Sequence, residues 1–250
     1  MNATSATPDA GIAKQFTELA PWVFQFRIGG ADYGGGISAV GDVRLLEFLR
    51  FAAGPQRILE LGSLEGAHTV LLAREPGVRE VVAVEGRERN IRKAELVTRL
   101  LHVRNATFVQ ENLETADLVQ LGLFDAVFCS GLLYHLPEPW KLIEQLPAIA
   151  PKLVLWTHYA DDLGAETVQQ GWRGRVQREG GADEPLSGMS ATAFWLTLGS
   201  LIKLLSASGY ESVHILQHNF AHPNGPAVII GAATEPMQFG TAPRRRFFGR

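Results

Sequence analysis

Arg57-Ile58-Leu59-Glu60-Leu61-Gly62-Ser63-Leu64-Glu65-Gly66-Ala67-His68 reads as a short buried strand, a glycine-bearing turn and the start of a helix. Such a turn presents backbone N–H groups at a helix N-terminus, where a ligand can lie against the main chain. The dinucleotide fingerprint asks for Gly-x-Gly-x-x-Gly at this place. Here Gly62 and Gly66 stand four apart, and Leu64 occupies the position of the middle glycine. That departure argues against a dinucleotide. Two acids add information. Glu60 stands two residues before Gly62, and Glu85 stands 23 residues after it, at the end of a second strand. An acid at the end of the second strand can accept two hydrogen bonds from ribose hydroxyls. An acid at the end of the first can meet, directly or through water, the positive amino group of an amino-acid ligand. Together they point to a charged amino-acid nucleoside.

Outward from this stretch the pattern is regular. Apolar strands at 58–61, 80–84, 106–109, 124–129 and 152–157 alternate with helical patterns at 66–74, 89–101, 116–121 and 140–149. That rhythm predicts an α/β fold, a doubly wound and mostly parallel sheet. Strands at 212–216 and 227–230, joined through Pro223-Asn224-Gly225-Pro226, complete seven strands, with an antiparallel closing strand. Upstream, 42–53 has leucines and phenylalanines at helical spacing and stops at Gly54-Pro55. Residues 1–40 read as an N-terminal arm: disordered to Gly11, a short helix over 13–19, then a flexible loop with five glycines between Gly29 and Gly36. After the fifth strand, 159–193 lacks periodicity and reads as a lid insertion. A helix is expected over 193–207, within a domain spanning 41–233, and 234–250, with Arg244-Arg245-Arg246, reads as a frayed tail.

Composition narrows the classes. A chain of 250 residues that is 46% hydrophobic can bury a large core in one domain. The net charge of -3 provides no global basic field for gripping nucleic acid. The single Cys129 excludes an internal disulfide and a multi-cysteine zinc site. Residues 1–15 lack the apolar segment of a signal peptide, and no apolar run is long enough to span a bilayer, so a cytoplasmic protein without membrane contact is expected. Oligomeric state stays open, a homodimer included.

Glu60-Leu61-Gly62-Ser63-Leu64-Glu65-Gly66 resembles motif I of the class I S-adenosylmethionine (SAM)-dependent methyltransferases, which carries an acid followed by glycines at alternate positions. Glu85 matches that family's ribose-binding acid, and Asn112-Leu113 the place where it contacts adenine. Phe124 to Leu136 resembles the family's motif IV region, with a Leu133-Tyr134-His135-Leu136 ending similar to small-molecule and sugar O-methyltransferases and to the tRNA wobble-uridine carboxymethyltransferase group. The resemblance covers about Leu45 to Ala232. It implies a Rossmann-like fold and SAM as cofactor, held by Glu60, Gly62, Ser63, Gly66, Glu85, Gly86, Asn112, Leu113 and Ser130.

Methyl transfer to a hydroxyl gains from a base poised near neutrality, and histidine suits that task. His158 after the fifth strand is the preferred base and His135 after the fourth the second. His68 reads as a neighbour of the cofactor carboxylate or as packing. His102, His214, His218 and His222 read as structural or exposed. A metal-dependent mechanism would want a carboxylate at the end of the fourth strand, where Cys129-Ser130 stands. The Asp161-Asp162 pair falls short of a full oxygen shell, so no metal is expected. Tyr33, Tyr134, Tyr159, Trp172, Arg173 and Trp195 are the candidates for the acceptor side, since aromatic and arginine side chains suit a planar or anionic molecule. The leading expectation is O-methylation of a small-molecule hydroxyl. A tRNA-modifying transferase and a catalytically silent SAM-fold binding module are the alternatives.

Overall fold

The computed structural model describes residues 6–181 and 184–237; the basic tail at Arg244 lies outside them. Helix α1 (Ala10–Glu18) is followed by strands β1 (Gln25–Ile28) and β2 (Ala31–Gly34) and helix α2 (Val43–Ala52). The alternating unit then runs β3 (Arg57–Leu61), α3 (Ala67–Ala73), β4 (Glu80–Glu85), α4 (Glu88–Leu100), β5 (Ala106–Gln110) and β6 (Ala126–Ser130). Two short helices, α5 (Pro139–Ile143) and α6 (Leu146–Ile149), lead into β7 (Lys152–His158). The rest comprises β8 (Thr167–Gln169), β9 (Trp172–Arg178), β10 (Thr192–Leu196), α7 (Leu198–Ala207), β11 (Ser212–Asn219) and β12 (Ala227–Ala233).

Seven strands form one sheet in the order β11-β12-β7-β6-β3-β4-β5. β3, β4, β5, β6 and β7 pair in parallel, and β12 runs antiparallel to both β7 and β11. The antiparallel strand is thus the last in sequence but sits inside the sheet, buried along all of its length. At Gly231 a Cβ would meet the Phe51 ring at 2.5 Å, so α2 packs directly on that strand. β3 and β6 are neighbours although β4 and β5 intervene in sequence. Their carboxyl ends therefore flank the reversal point of the strand order, where open α/β sheets bind ligands.

Four expectations are corrected. Gly29 to Gly36 is not a flexible loop. Gly29 and Gly30, both at positive φ, make the two-residue turn of a β1–β2 hairpin, a geometry that glycine adopts without strain. The lid insertion has its own order: β8 and β9 turn at Gln170-Gly171, also both at positive φ, and with β10 form a three-stranded antiparallel sheet. The helix expected over 193–207 begins five residues later. Ala193, Phe194, Trp195 and Leu196 are consecutive buried residues, which suits a strand covered on both faces, and Thr197 caps α7 by accepting the Ser200 N–H. Pro147 also divides the helix expected over 140–149 into α5 and α6.

The segment from Ile12 to Ala39 is fastened to the domain. Phe16, Phe24, Phe26, Ile28 and Tyr33 share a core with Val70 of α3 and Leu96 and Val97 of α4. At its base Glu65 is fully buried and accepts from Lys93 Nζ at 2.8 Å, from Val23 N at 3.0 Å and from Phe24 N at 2.8 Å. Lys93 Nζ also donates to the Pro21 carbonyl and lies over the Trp22 ring. Removing one member of a buried pair strands the other charge, which typically costs about 3–5 kcal/mol. Lys93→Met is therefore expected to lower unfolding free energy by about that amount in urea titration, and to expose residues 10–30 to limited proteolysis; unchanged stability would refute the fastening.

Candidate active site

A cavity of about 460 Å³ opens at the carboxyl ends of the parallel strands. Its walls fall into two parts. One consists of Gly62, Ser63 and Leu64 after β3, Glu85 to Arg87 after β4, Asn112 to Glu114 after β5, and Ser130 to Leu132 after β6. The other includes Tyr134, His135, Trp156, His158, Trp195, His222 and Asn224. Val23 and Phe24 from the N-terminal hairpin and Pro185 to Met189 from the insertion close it.

In the first part the turn keeps a glycine-like shape without the glycine. Leu64 has φ +49°, and its N–H donates to Glu85 Oε2 at 2.9 Å. The other carboxylate oxygen, Oε1, accepts from Arg87 N at 2.9 Å and Asn90 Nδ2 at 3.2 Å. Burial pushes the Glu85 carboxyl above the usual range, while these donors pull it back. A carboxylate offers about four acceptor positions, and three are taken from within the chain. Glu85 thus keeps acceptor capacity on the side that lines the cavity. Ser63 Oγ and Ser130 Oγ are buried without a hydrogen-bond partner among the described residues. Both residues line the cavity, so each leaves polar valence for a polar ligand. Asn112 uses its own Oδ1 to accept from Glu114 N at 3.0 Å, which shapes the loop that also carries Leu113.

Two residues expected to hold the ligand do not line the cavity. Glu60 is buried behind the turn, where Thr69 Oγ1 donates to it at 2.6 Å. Burial pushes its carboxyl up to about 8, with Glu85 nearby adding to the rise. Burial at that depth disfavours a negative charge on Glu60. Gly66 stands where a Cβ would meet Ala94 Cβ at 2.8 Å, so it serves the close packing of α3 on α4. His68 does line the cavity, with Nε2 2.9 Å from Asp42 Oδ2. The same carboxylate holds Arg44, whose guanidinium lies 5.0 Å over Trp156.

In the second part the rings form a box. His158 stacks on Trp195 with centroids 5.2 Å apart and 9° between planes. Tyr134 meets it edge-on at 4.7 Å, Trp156 at 5.1 Å and His222 at 4.7 Å. His158 Nδ1 lies 3.0 Å from the Gly225 carbonyl oxygen and 3.3 Å from that of Pro226. Only an Nδ1–H can face two carbonyls, so the neutral ring carries its lone pair on Nε2. Burial lowers its pKa, against the pull of those two carbonyls. His135 Nδ1 sits 3.0 Å from Glu179 Oε2, which also accepts from Gly188 N at 2.7 Å and from Ser187 Oγ. Burial lowers the His135 pKa too, with Glu179 opposing.

The remaining acceptor candidates lie elsewhere. Tyr33 is buried in the N-terminal core and its hydroxyl accepts the Asp9 N–H at 2.6 Å. The Tyr159 hydroxyl pairs with His218 Nε2 at 2.6 Å. Trp172 packs on the main core. Arg173 donates to the Asp162 and Ala165 carbonyls. None of the four lines the cavity. Conversely His222, read as structural or exposed, is part of it. No group of three or more His, Cys, Asp or Glu among the described residues is arranged to hold a metal ion, and no helix among them is long and apolar enough to cross a membrane.

A sheet of this order, with a cavity at its reversal point, an acid after β4 and two buried serine hydroxyls without a partner among the described residues, has the form of a nucleoside-binding α/β enzyme. A family model described as a methyltransferase domain matches residues 58–149. The N-terminal domain of EvdMO1, crystallised in the presence of SAH and D-fucose, is 32% identical, with a TM-score of 0.81 over 94% of this chain and 100% of that one. The same domain with SAH bound gives 32% and 0.80 over the same shares. A structure of EvdMO1 gives 29% and 0.71 over 93% of this chain and 49% of that one, so the chain spans about half of it. No curated protein matches the chain by sequence. The chain belongs to the class I SAM-dependent methyltransferases, and SAM is its cofactor.

Two outcomes follow. SAH should raise the melting temperature of the wild type, since a ligand at about 100 times its Kd adds about 2.7 kcal/mol; in Glu85→Ala the shift should vanish, and a persistent shift would remove Glu85 from the site. Glu60 should make the wild type pH-sensitive. Its folded pKa, about 8, lies above its ordinary 4.5, so its contribution to stability is complete below 4.5 and is lost as pH rises through 8. Glu60→Gln should flatten melting temperature across that interval, and parallel curves for the two proteins would refute the assignment.

Proposed function

We propose that the enzyme methylates a hydroxyl of a small molecule, a sugar ring or similar polyol, with His158 as general base. The observation that carries this reading is the Nδ1 tether of His158 to Gly225 and Pro226, which leaves Nε2 as a proton acceptor in a cavity walled by Tyr134, Trp156 and Trp195. At Gly225, φ is +108° and a Cβ would meet the Trp195 ring at 3.1 Å, so a glycine lets the tethering loop lie on the indole. Flat aromatic walls with a few convergent polar groups suit a small molecule with apolar ring faces and hydroxyl edges. The EvdMO1 domain was crystallised with D-fucose, which supports a sugar here.

SAM, when bound, supplies an electrophilic methyl group for in-line displacement. The chain's own contribution is to hold the acceptor oxygen, take its proton on His158 Nε2 and exclude water. Positioning of this kind can supply roughly 7–11 kcal/mol, and proton removal by a placed base about 10²–10⁴-fold. Ser63, Glu85, Asn112, Leu113 and Ser130 would hold the cofactor, with Gly62 and Gly86 lining its side of the cavity. His135 is committed to Glu179, whose other partners are Ser187 and Gly188 of the insertion, and this suits a wall anchor better than a base.

With D-fucose or another sugar as acceptor, His158→Phe should lose about 10²–10⁴-fold in kcat while retaining its SAH thermal shift. Because a base works when neutral and burial lowers this histidine, the acidic limb of the wild-type kcat profile should fall below about pH 6.5, the ordinary histidine value. Full turnover in His158→Phe would overturn the proposal.

A further inference from the structure

We infer that His158 and His222 form a matched acceptor–donor pair that reads a vicinal diol, and that His222 selects for the hydroxyl next to the one methylated. This rests on the reading of His158 as base and adds a substrate class and a specificity residue to it.

His222 lies in the loop between β11 and β12. Its Nδ1 accepts the Asn224 N–H at 3.3 Å. A neutral imidazole that accepts at Nδ1 carries its proton on Nε2, so His222 presents a donor. His158 has the opposite tautomer, because its Nδ1–H donates to Gly225 and Pro226, and it presents an acceptor. Neither Nε2 has a partner among the described residues, and both residues line the cavity. The rings are 4.7 Å apart, centroid to centroid, with 64° between their planes.

An acceptor and a donor side by side complement two adjacent hydroxyls. One hydroxyl gives its proton to His158 Nε2 and becomes the nucleophile. The oxygen of its neighbour receives the Nε2–H of His222. A mono-alcohol would satisfy His158 and leave the His222 donor without a substrate partner, and sites built to pair a hydroxyl reject ligands that lack it. The polarity of the pair is written into the backbone. Residues 222–226 supply the N–H that fixes one tautomer and the carbonyls that fix the other. Trp156 meets both rings, at 5.1 Å and 5.9 Å, and restricts their rotation.

The test uses methyl D-fucoside, its monodeoxy analogues and cyclohexanol as acceptors, with wild type, His222→Phe, His222→Gln and His158→Phe. In the wild type, an analogue that keeps the methylated hydroxyl but lacks its neighbour should lose about tenfold or more in kcat/KM. His222→Phe should lose a similar factor on methyl D-fucoside and nothing further on that analogue. His222→Gln, whose amide can donate, should recover most of the loss. All four proteins should keep the SAH thermal shift, which separates these effects from misfolding. The inference is overturned if His222→Phe discriminates between fucoside and analogue as the wild type does, or if cyclohexanol is methylated as fast as the diol. If His158→Phe retains turnover, it is the base assignment that fails, and the His222 comparison still reports separately on diol selection.

Discussion

The carboxylate of Glu65, buried against the ammonium of Lys93, is the contact on which the cavity depends. Glu65 belongs to the turn after β3, Lys93 to α4, and the two backbone amides that complete the carboxylate's shell belong to Val23 and Phe24. Three segments distant in sequence are joined at one buried charge. Val23 and Phe24 line the cavity, so the pair holds a wall as well as a fold. A buried ion pair is often no better than an apolar contact of the same size. Its value here is directional: a carboxylate that must find three donors admits few alternative placements of the arm.

The turn shows how a motif survives loss of its characteristic residue. A non-glycine residue in the left-handed region costs roughly 1–2 kcal/mol. At Leu64 that cost is offset by a charge-assisted hydrogen bond from its amide to Glu85, and such bonds are about twice as strong as neutral ones. The acid after β4 therefore shapes the loop after β3 while lining the cavity. The insertion is fixed to the same region, since the Arg87 guanidinium donates to the Glu184, Ser187 and Gly188 carbonyls and Met189 rests on Gly86.

The parallel strands were legible because each is a short apolar run bounded by turn residues, and the acids and polar residues at their ends stand at fixed offsets from them. Glu85, Asn112, Leu113 and Ser130 were found in this way and line the cavity. Glu60 was misplaced because alternation along β3 says which face a side chain takes but not whether it reaches the strand end. The two hairpins hid in composition. Gly29-Gly30 and Gln170-Gly171 are two-residue turns, and a count of glycines reads the same as flexibility. His222 lay beyond sequence reasoning: it meets His158 only because β12 enters the sheet antiparallel beside β7, carrying the β11–β12 loop to the carboxyl ends of the parallel strands. The spacing of Tyr33 from the glycines said nothing of its ring turning into the N-terminal core.

The antiparallel placement of β12 also brings late residues of the chain to a cavity whose other walls come from earlier in it. Of the residues that line the cavity, those after β3, β4, β5 and β6, Tyr134 and His135 included, lie inside the span that matches the methyltransferase domain, whereas Trp156, His158, Trp195, His222 and Asn224 lie after it. A change in the β11–β12 hairpin loop or in the small accessory sheet would therefore reshape one wall of the cavity and leave the turn after β3 as it is.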